Sequence, residues 1–224
     1  MHTPKKEINN MCSFAPLLEA FPGAFELHLT TRCRSVAALR RFESVCEELD
    51  AKALVIQLST GQYAHQPMLS MRLSEKQNRR ISLAESVLKA AGFPILRTKL
   101  EASIFNQNIP QTEEDKARLS LWLDTEQLYF EHHLKIEISP ENHTKWRSRL
   151  RAVGAHLSYN ALKTEAGTTR FVTQRVKEGG LKEAHRHFNR LISQLKTWGF
   201  EPESPFQEFV VFDSRLELDS GWAE

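Results

Sequence analysis

The run Tyr129-Phe130-Glu131-His132-His133-Leu134-Lys135-Ile136-Glu137-Ile138 alternates without a break. In an extended strand successive side chains leave on opposite faces. Phe130, His132, Leu134, Ile136 and Ile138 therefore share one face, and Glu131, His133, Lys135 and Glu137 share the other. One apolar face and one ionisable face describe a strand in a sheet covered on a single side. A second run, Phe25-Glu26-Leu27-His28-Leu29-Thr30, repeats the pattern, with Phe25, Leu27 and Leu29 inward and Glu26, His28 and Thr30 outward.

Between and beyond these strands the period switches. Residues 35–49 carry a helical stripe of Val36, Leu39, Phe42, Val45 and Leu49. Strands are expected over 53–59, 67–73 and 95–102, and a helix over 75–91 stopped by Gly92. A linker with Pro110 leads to a helix over 112–127, capped by Thr112 and carrying Leu119, Trp122 and Leu123. After the 129–138 strand the order returns: helix 140–153, strands 155–162 and 169–176, helix 181–198 closed by Gly199, and strand 206–213.

Short segments match between the halves in the same order. Phe25-Glu26-Leu27-His28-Leu29 corresponds to Phe130-Glu131-His132-His133-Leu134, and Ala91-Gly92-Phe93 to Trp198-Gly199-Phe200. The matches point to an internal duplication. Each half has the β-α-β-β-α-β order and resembles the ferredoxin-like arrangement, in which two helices cover one face of an antiparallel sheet. The expected fold is α+β: two tandem ferredoxin-like halves, with helices on one face of each sheet. The expected boundaries are 1–23 (tail and lead-in), 24–104 (first half), 105–127 (linker and connector helix), 128–214 (second half) and 215–224 (C-terminal tail). Trp222 is expected to dock the tail on the body.

Composition narrows the class. Hydrophobic residues make up 41% and charged residues 26%, which suits a globular chain. A net charge of +2 does not indicate a nucleic-acid partner. Cys12, Cys33 and Cys46 form no CxxC and cannot all pair, which points to a reducing cytoplasm. No apolar run approaches the roughly 20 residues of a membrane span, and residues 1–10 lack a signal-peptide core. Nucleotide-binding glycine loops and a Gly-x-Ser-x-Gly elbow are absent from the sequence.

The uncovered faces hold the chemistry. His28, His133 and His156 are candidate acid/base groups, because imidazole titrates near neutral pH, at about 6.5. Thr30, Gln57, Ser59, Arg72, Arg97, Lys99, Glu131, Lys135, Ser158 and Arg175 are candidate ligand-binding residues. If the two faces turn toward each other, the cations favour a small anionic or nucleotide-like ligand. The acids Glu26, Glu101, Glu131 and Glu137 would then either hold a divalent metal or neutralise those cations. The plain alternative is a pair of solvated sheet faces, with Lys and Glu pairing across strands. Ser59-Thr60-Gly61-Gln62 reads as a turn that could also present backbone amides to an anion.

His28-Leu29-Thr30 and His156-Leu157-Ser158 share the form His-x-Thr/Ser, which resembles the paired motifs of the two-histidine phosphoesterases. That resemblance implies a phosphoric-ester hydrolase, with His28 and His156 as acid and base and with Thr30 and Ser158 on the phosphate. The duplication, however, aligns His28 with His133 and His156 with Gln57. The alternation of Glu131, His133, Lys135 and Glu137 also resembles the Glu-x-Glu-x-Lys strand of triphosphate tunnels, with His133 replacing one glutamate. The other expectation is a non-catalytic module that binds an anionic ligand or a protein through the same faces.

Overall fold

The computed structural model describes residues 14–58, 63–119, 128–162 and 168–219. Eight strands alternate with helices along the chain: β1 (Ala24–Thr30), β2 (Lys52–Leu58), β3 (His65–Ser74), β4 (Arg97–Ser103), β5 (Tyr129–Glu137), β6 (Ala155–Asn160), β7 (Thr169–Val176) and β8 (Glu203–Asp213). The helices are α1 (Ala15–Ala20), α2 (Val36–Glu48), α3 (Asn78–Ala90), α4 (Glu113–Leu119), α5 (His143–Arg151) and α6 (Leu181–Thr197). Short 3-10 turns occupy Pro140–Asn142 and Leu216–Asp219.

The strands form one closed barrel in the order β1-β3-β2-β6-β7-β5-β8-β4, every neighbour antiparallel. This closure corrects the expectation of two tandem ferredoxin-like halves on open sheets. β2 pairs with β6 and β4 with β8, so each edge that an open sheet would expose is bonded to the other half. The ionisable faces become the lumen of one barrel. The duplication expectation is corrected with it, because the ladder runs unbroken and the cores are not confined to their halves. Phe130, Val176, Leu181, Ala184 and Phe209 pack into the cluster beneath α2 and α3, alongside Leu27, Leu29, Phe42 and Leu88. A second cluster of Leu134, Ile136, Leu150, Val172, Phe188, Leu191 and Leu195 lies beneath α5 and α6.

Local chemistry sets the helix ends. The Ser35 side chain accepts from the Ala38 amide at 3.1 Å and starts α2. Thr112 Oγ1 accepts from the Asp115 amide at 3.2 Å, and Asp115 Oδ2 accepts from the Thr112 amide at 3.0 Å, a reciprocal cap for α4. Residues 120–127, with Trp122 and Leu123, and Trp222 lie outside the described residues. α3 and α6 end at Gly92 (φ +83°) and Gly199 (φ +87°), where a left-handed residue lets Phe93 and Phe200 bond back to Leu88 and Leu195. The buried stripe of α2 is Phe42, Val45 and Cys46, whereas Val36 is 70% exposed.

Alternation misplaces one strand. Leu54, Ile56 and Leu58 of β2 line the lumen, and Val55 is buried on the other face. Gln57 therefore leaves the lumen side and bonds His65 at 3.0 Å in an exposed position. Both faces of β2 are apolar at this point, so the sequence pattern carries no sign for the choice.

Candidate active site

A cavity of about 220 Å³ occupies the lumen. β1 contributes Glu26 and His28, β4 Arg97, Lys99 and Glu101, β5 Glu131 and His133, and β7 Phe171, Thr173 and Arg175. Phe206 and Glu208 enter from β8, Ser158 from β6, and Gln66 and Met68 from β3, with Leu54, Ile56 and Leu58 of β2 completing an apolar side. Asp219 closes the set from the C-terminal 3-10 turn.

The three cations are bound internally. Arg97 donates from Nε to Asp213 Oδ1 at 2.7 Å and from Nη2 to Oδ2 at 2.5 Å, a two-pronged bond, and from Nη1 to Asp219 Oδ2 at 2.8 Å. Arg175 donates to Glu131 Oε1 at 2.7 Å and to Asp219 Oδ2 at 2.5 Å. Lys99 bonds both Glu101 and Glu131. Tyr129 donates to Asp213 Oδ2 at 2.8 Å and lies beneath Arg175, whose guanidinium is 5.2 Å from the ring centre. Burial alone would raise Asp219, yet Arg97 and Arg175 outweigh it and bring its carboxyl down to about 2. Glu101 and Glu131 are likewise held low against burial, Glu101 by Lys99 and His28, Glu131 by Lys99 and Arg175.

Two carboxyls stand apart. Among the described residues, Glu26 and Glu208 form no ion pair with Lys or Arg. Glu26 Oε1 accepts from Ser70 Oγ at 2.5 Å. Glu208 Oε2 lies 3.5 Å from His133 Nε2, and burial, reinforced by Glu101 and Glu26, pushes its carboxyl well above the usual range.

His133 is fixed on three sides. Its Nε2 is 3.3 Å from Glu131 Oε2, its Nδ1 is 3.1 Å from Thr173 Oγ1, and its ring stacks on Phe206 with centroids 4.8 Å apart. His28 Nε2 lies 2.7 Å from Glu101 Oε2, while its buried Nδ1 has no hydrogen-bond partner among the described residues.

Of the expected site residues, His28, Arg97, Lys99, Glu131, His133, Ser158 and Arg175 converge on the cavity. Thr30, Arg72, Lys135 and His156 do not line it. Thr30 is buried, Arg72 is exposed, Lys135 sits 5.7 Å from the Phe171 ring centre, and His156 is pushed down to about 4 by burial, with Arg175 and Arg151 adding. Ser59 and the turn after it lie outside the described residues.

The cluster also tests the metal expectation. Glu101, Glu131 and His133 each offer one ligand atom within 4.8 Å of the others. Both carboxylates already neutralise Lys99, so a dication would sit against an ammonium. The donor set does not fit a divalent metal.

The sequence reading gave no site role to Asp213, Asp219, Glu208 or Phe206. The Asp213 miss has a physical cause. The β4–β8 ladder slips between Leu100 and Glu101, pairing Glu101 with Val210 but Leu100 with Phe212. This β-bulge in β8 reverses the facing of the residues beyond it and turns Asp213 inward.

The hydrolase expectation is corrected here. It required His28 and His156 to meet over a phosphate held by free cations. His156 lies off the cavity that His28 lines, and Arg97, Lys99 and Arg175 are each bonded to two carboxylates.

No helix among the described residues is long and apolar enough to cross a membrane. No family model matches the chain, and no curated protein does. Among solved structures it is similar to a Fusobacterium nucleatum protein provisionally assigned as a monooxygenase. That match has 9% identity and a TM-score of 0.28, and covers 86% of this chain and 94% of the other. A likeness of that size carries no statement about activity.

Proposed function

We propose that the barrel is a small-molecule enzyme whose cavity carries out proton transfer on its ligand, with Glu208 as the proton-exchanging group and His133 as its partner. The observation that supports this is the placement of His133 Nε2 between two glutamates whose carboxyls are shifted in opposite directions, 3.3 Å from Glu131 and 3.5 Å from Glu208. Lys99 and Arg175 draw the Glu131 carboxyl well below its ordinary range, while burial and the neighbouring acids push that of Glu208 well above it. A pair of titratable groups driven apart in this way is the arrangement from which acid and base roles are assigned. Glu208 gives a proton to a ligand oxygen or nitrogen. The carboxylate it leaves is stabilised by the His133 ring and recovers a proton from a neighbouring ligand atom. Thr173 and Phe206 hold the ring in place, so little reorganisation is needed when the charge appears. The free thiols Cys33 and Cys46 agree with work in the cytoplasm.

The test is solvent-deuterium incorporation into a panel of small ketones and amino ketones, followed by mass spectrometry. Wild type is expected to exchange at least one compound above buffer, and Glu208→Gln to lose about 10²–10⁴-fold in rate. No exchange by wild type, or equal exchange by Glu208→Gln, overturns the proposal.

A further inference from the structure

The cavity has a chemical polarity that the acid–base reading does not use. Four carboxylates, Glu101, Glu131, Asp213 and Asp219, bind the three lumen cations, and Glu26 and Glu208 remain beyond that balance. An incoming anion would have to displace carboxylates bonded at 2.5–2.8 Å to Arg97 and Arg175. A donor group meets the opposite situation on β1. His28 is engaged with Glu101 through Nε2 at 2.7 Å and its Nδ1 is buried, so the acceptor left facing the cavity on β1 is the Glu26 carboxyl. Glu26 lies two residues along the same inward face, about 7 Å away by strand rise. Ser70 is the donor it has among the described residues. The hydrocarbon part of the lining is Leu54, Ile56, Leu58 and Met68, with Phe171 and Phe206 across the lumen. The volume, about 220 Å³, suits a molecule below drug size.

From this geometry, and resting on the reading of the cavity as a ligand site, we infer that the ligand is a small amphiphilic amine: its ammonium seated on Glu26, its hydrocarbon part against Leu54, Ile56 and Met68. Ser70 stands opposite His28 in the β1–β3 ladder, and Met68 lies two residues further along β3, paired with Leu54. A chain leaving the ammonium along β3 therefore reaches the apolar side directly. Glu208 and His133 face the cavity from β8 and β5, so they remain available to the far part of the molecule.

The experiment is calorimetric titration and thermal shift with three six-carbon probes, n-hexylamine, hexanoate and 1-hexanol. Hexylamine is expected to bind and raise the melting temperature, at least tenfold more tightly than hexanoate or hexanol. Shortening it to butylamine should weaken binding by about fourfold per methylene removed. Glu26→Gln should weaken hexylamine at least tenfold while melting like wild type without amine, and Ile56→Trp, which fills the apolar side, should weaken all amines. Hexanoate binding as tightly as hexylamine, no binding of any probe, or unchanged hexylamine affinity in Glu26→Gln overturns the inference. Deuterium exchange that is lost in Glu208→Gln would still support proton transfer in that case, so the two readings fail separately.

Discussion

Glu131 and Glu208 stand directly opposite each other in the ladder between β5 and β8, and their carboxyls are driven in opposite directions, Glu131 down by Lys99 and Arg175 and Glu208 up by burial. Like charges so placed would repel across the strands. The barrel resolves the conflict by giving Glu131 both Lys99 and Arg175 and leaving Glu208 with His133. The asymmetry follows from which strands the cations occupy: β4 and β7 each bring one to Glu131, and neither brings one to Glu208.

The first prediction follows from the sign of that shift. A carboxyl raised on folding binds its proton more tightly in the native state. Its contribution is present below the unfolded value, near 4.5, and is lost as pH rises through the folded value. Wild type should therefore lose stability toward alkaline pH relative to Glu208→Gln. Melting temperatures from pH 4 to 9 should show the difference widening upward. A constant difference would contradict the shift.

His132 predicts the acid limb. It is fully buried, with Nδ1 3.2 Å from Gln174 Oε1, Nε2 without a hydrogen-bond partner among the described residues, and its ring against Phe188. Burial pushes it down to about 4. Its contribution is present above the unfolded value near 6.5 and is lost as pH falls toward 4, up to about 3 kcal/mol. His132→Phe should flatten stability between pH 6.5 and 4, read by urea titration at each pH.

Removing Arg97 leaves Asp213 and Asp219 buried with fewer partners. Arg97→Met should cost about 3–5 kcal/mol at pH 7 in urea unfolding. It should also free the Leu216–Asp219 turn, which Arg97 and Arg175 hold through Asp219, and limited proteolysis should then cut there first. A double variant with Asp213→Asn should recover part of the loss. Simple additivity would argue against a shared network.

Gly180 makes a close approach, not a special turn. A Cβ there would meet the backbone of Gln111 and Thr112 at 2.4 Å. The contact lies where the Leu181 amide bonds Pro110 O at 2.8 Å, docking the start of α6 on the lead-in to α4. Gly180→Ala should destabilise by about 1–3 kcal/mol, read as a lower melting temperature than wild type. Equal melting temperatures would contradict the contact.

The individual strands and helices were legible because each buries one stripe of regular period. Phe25, Leu27 and Leu29 or Ala184, Phe188, Leu191 and Leu195 announce themselves through spacing alone. Closure was not legible. The pairings of β2 with β6 and of β4 with β8 are backbone bonds, and side-chain alternation carries no record of which edge meets which. The site was legible where alternation held, at Glu131, His133, Arg97 and Lys99. It failed at Asp213 beyond the bulge, at β2 where both faces are apolar, and at Asp219 in a turn with no period to read.

The two joints between the halves are unequal. Among the described residues β4 and β8 share five register pairs, whereas β2 and β6 share three, supplemented by Asn160 Oδ1 accepting from the Val55 amide at 3.1 Å. A cylinder with one long and one short joint has a hinge on one side and a latch on the other. The latch carries the fewest ladder bonds, so local opening is cheapest there. It also flanks Leu54, Ile56, Leu58 and Ser158 of the cavity wall. Amide exchange at Val55, whose N–H is held by Asn160 Oδ1 across that joint, is therefore expected to run faster than in the β4–β8 ladder and measures how often the latch lifts.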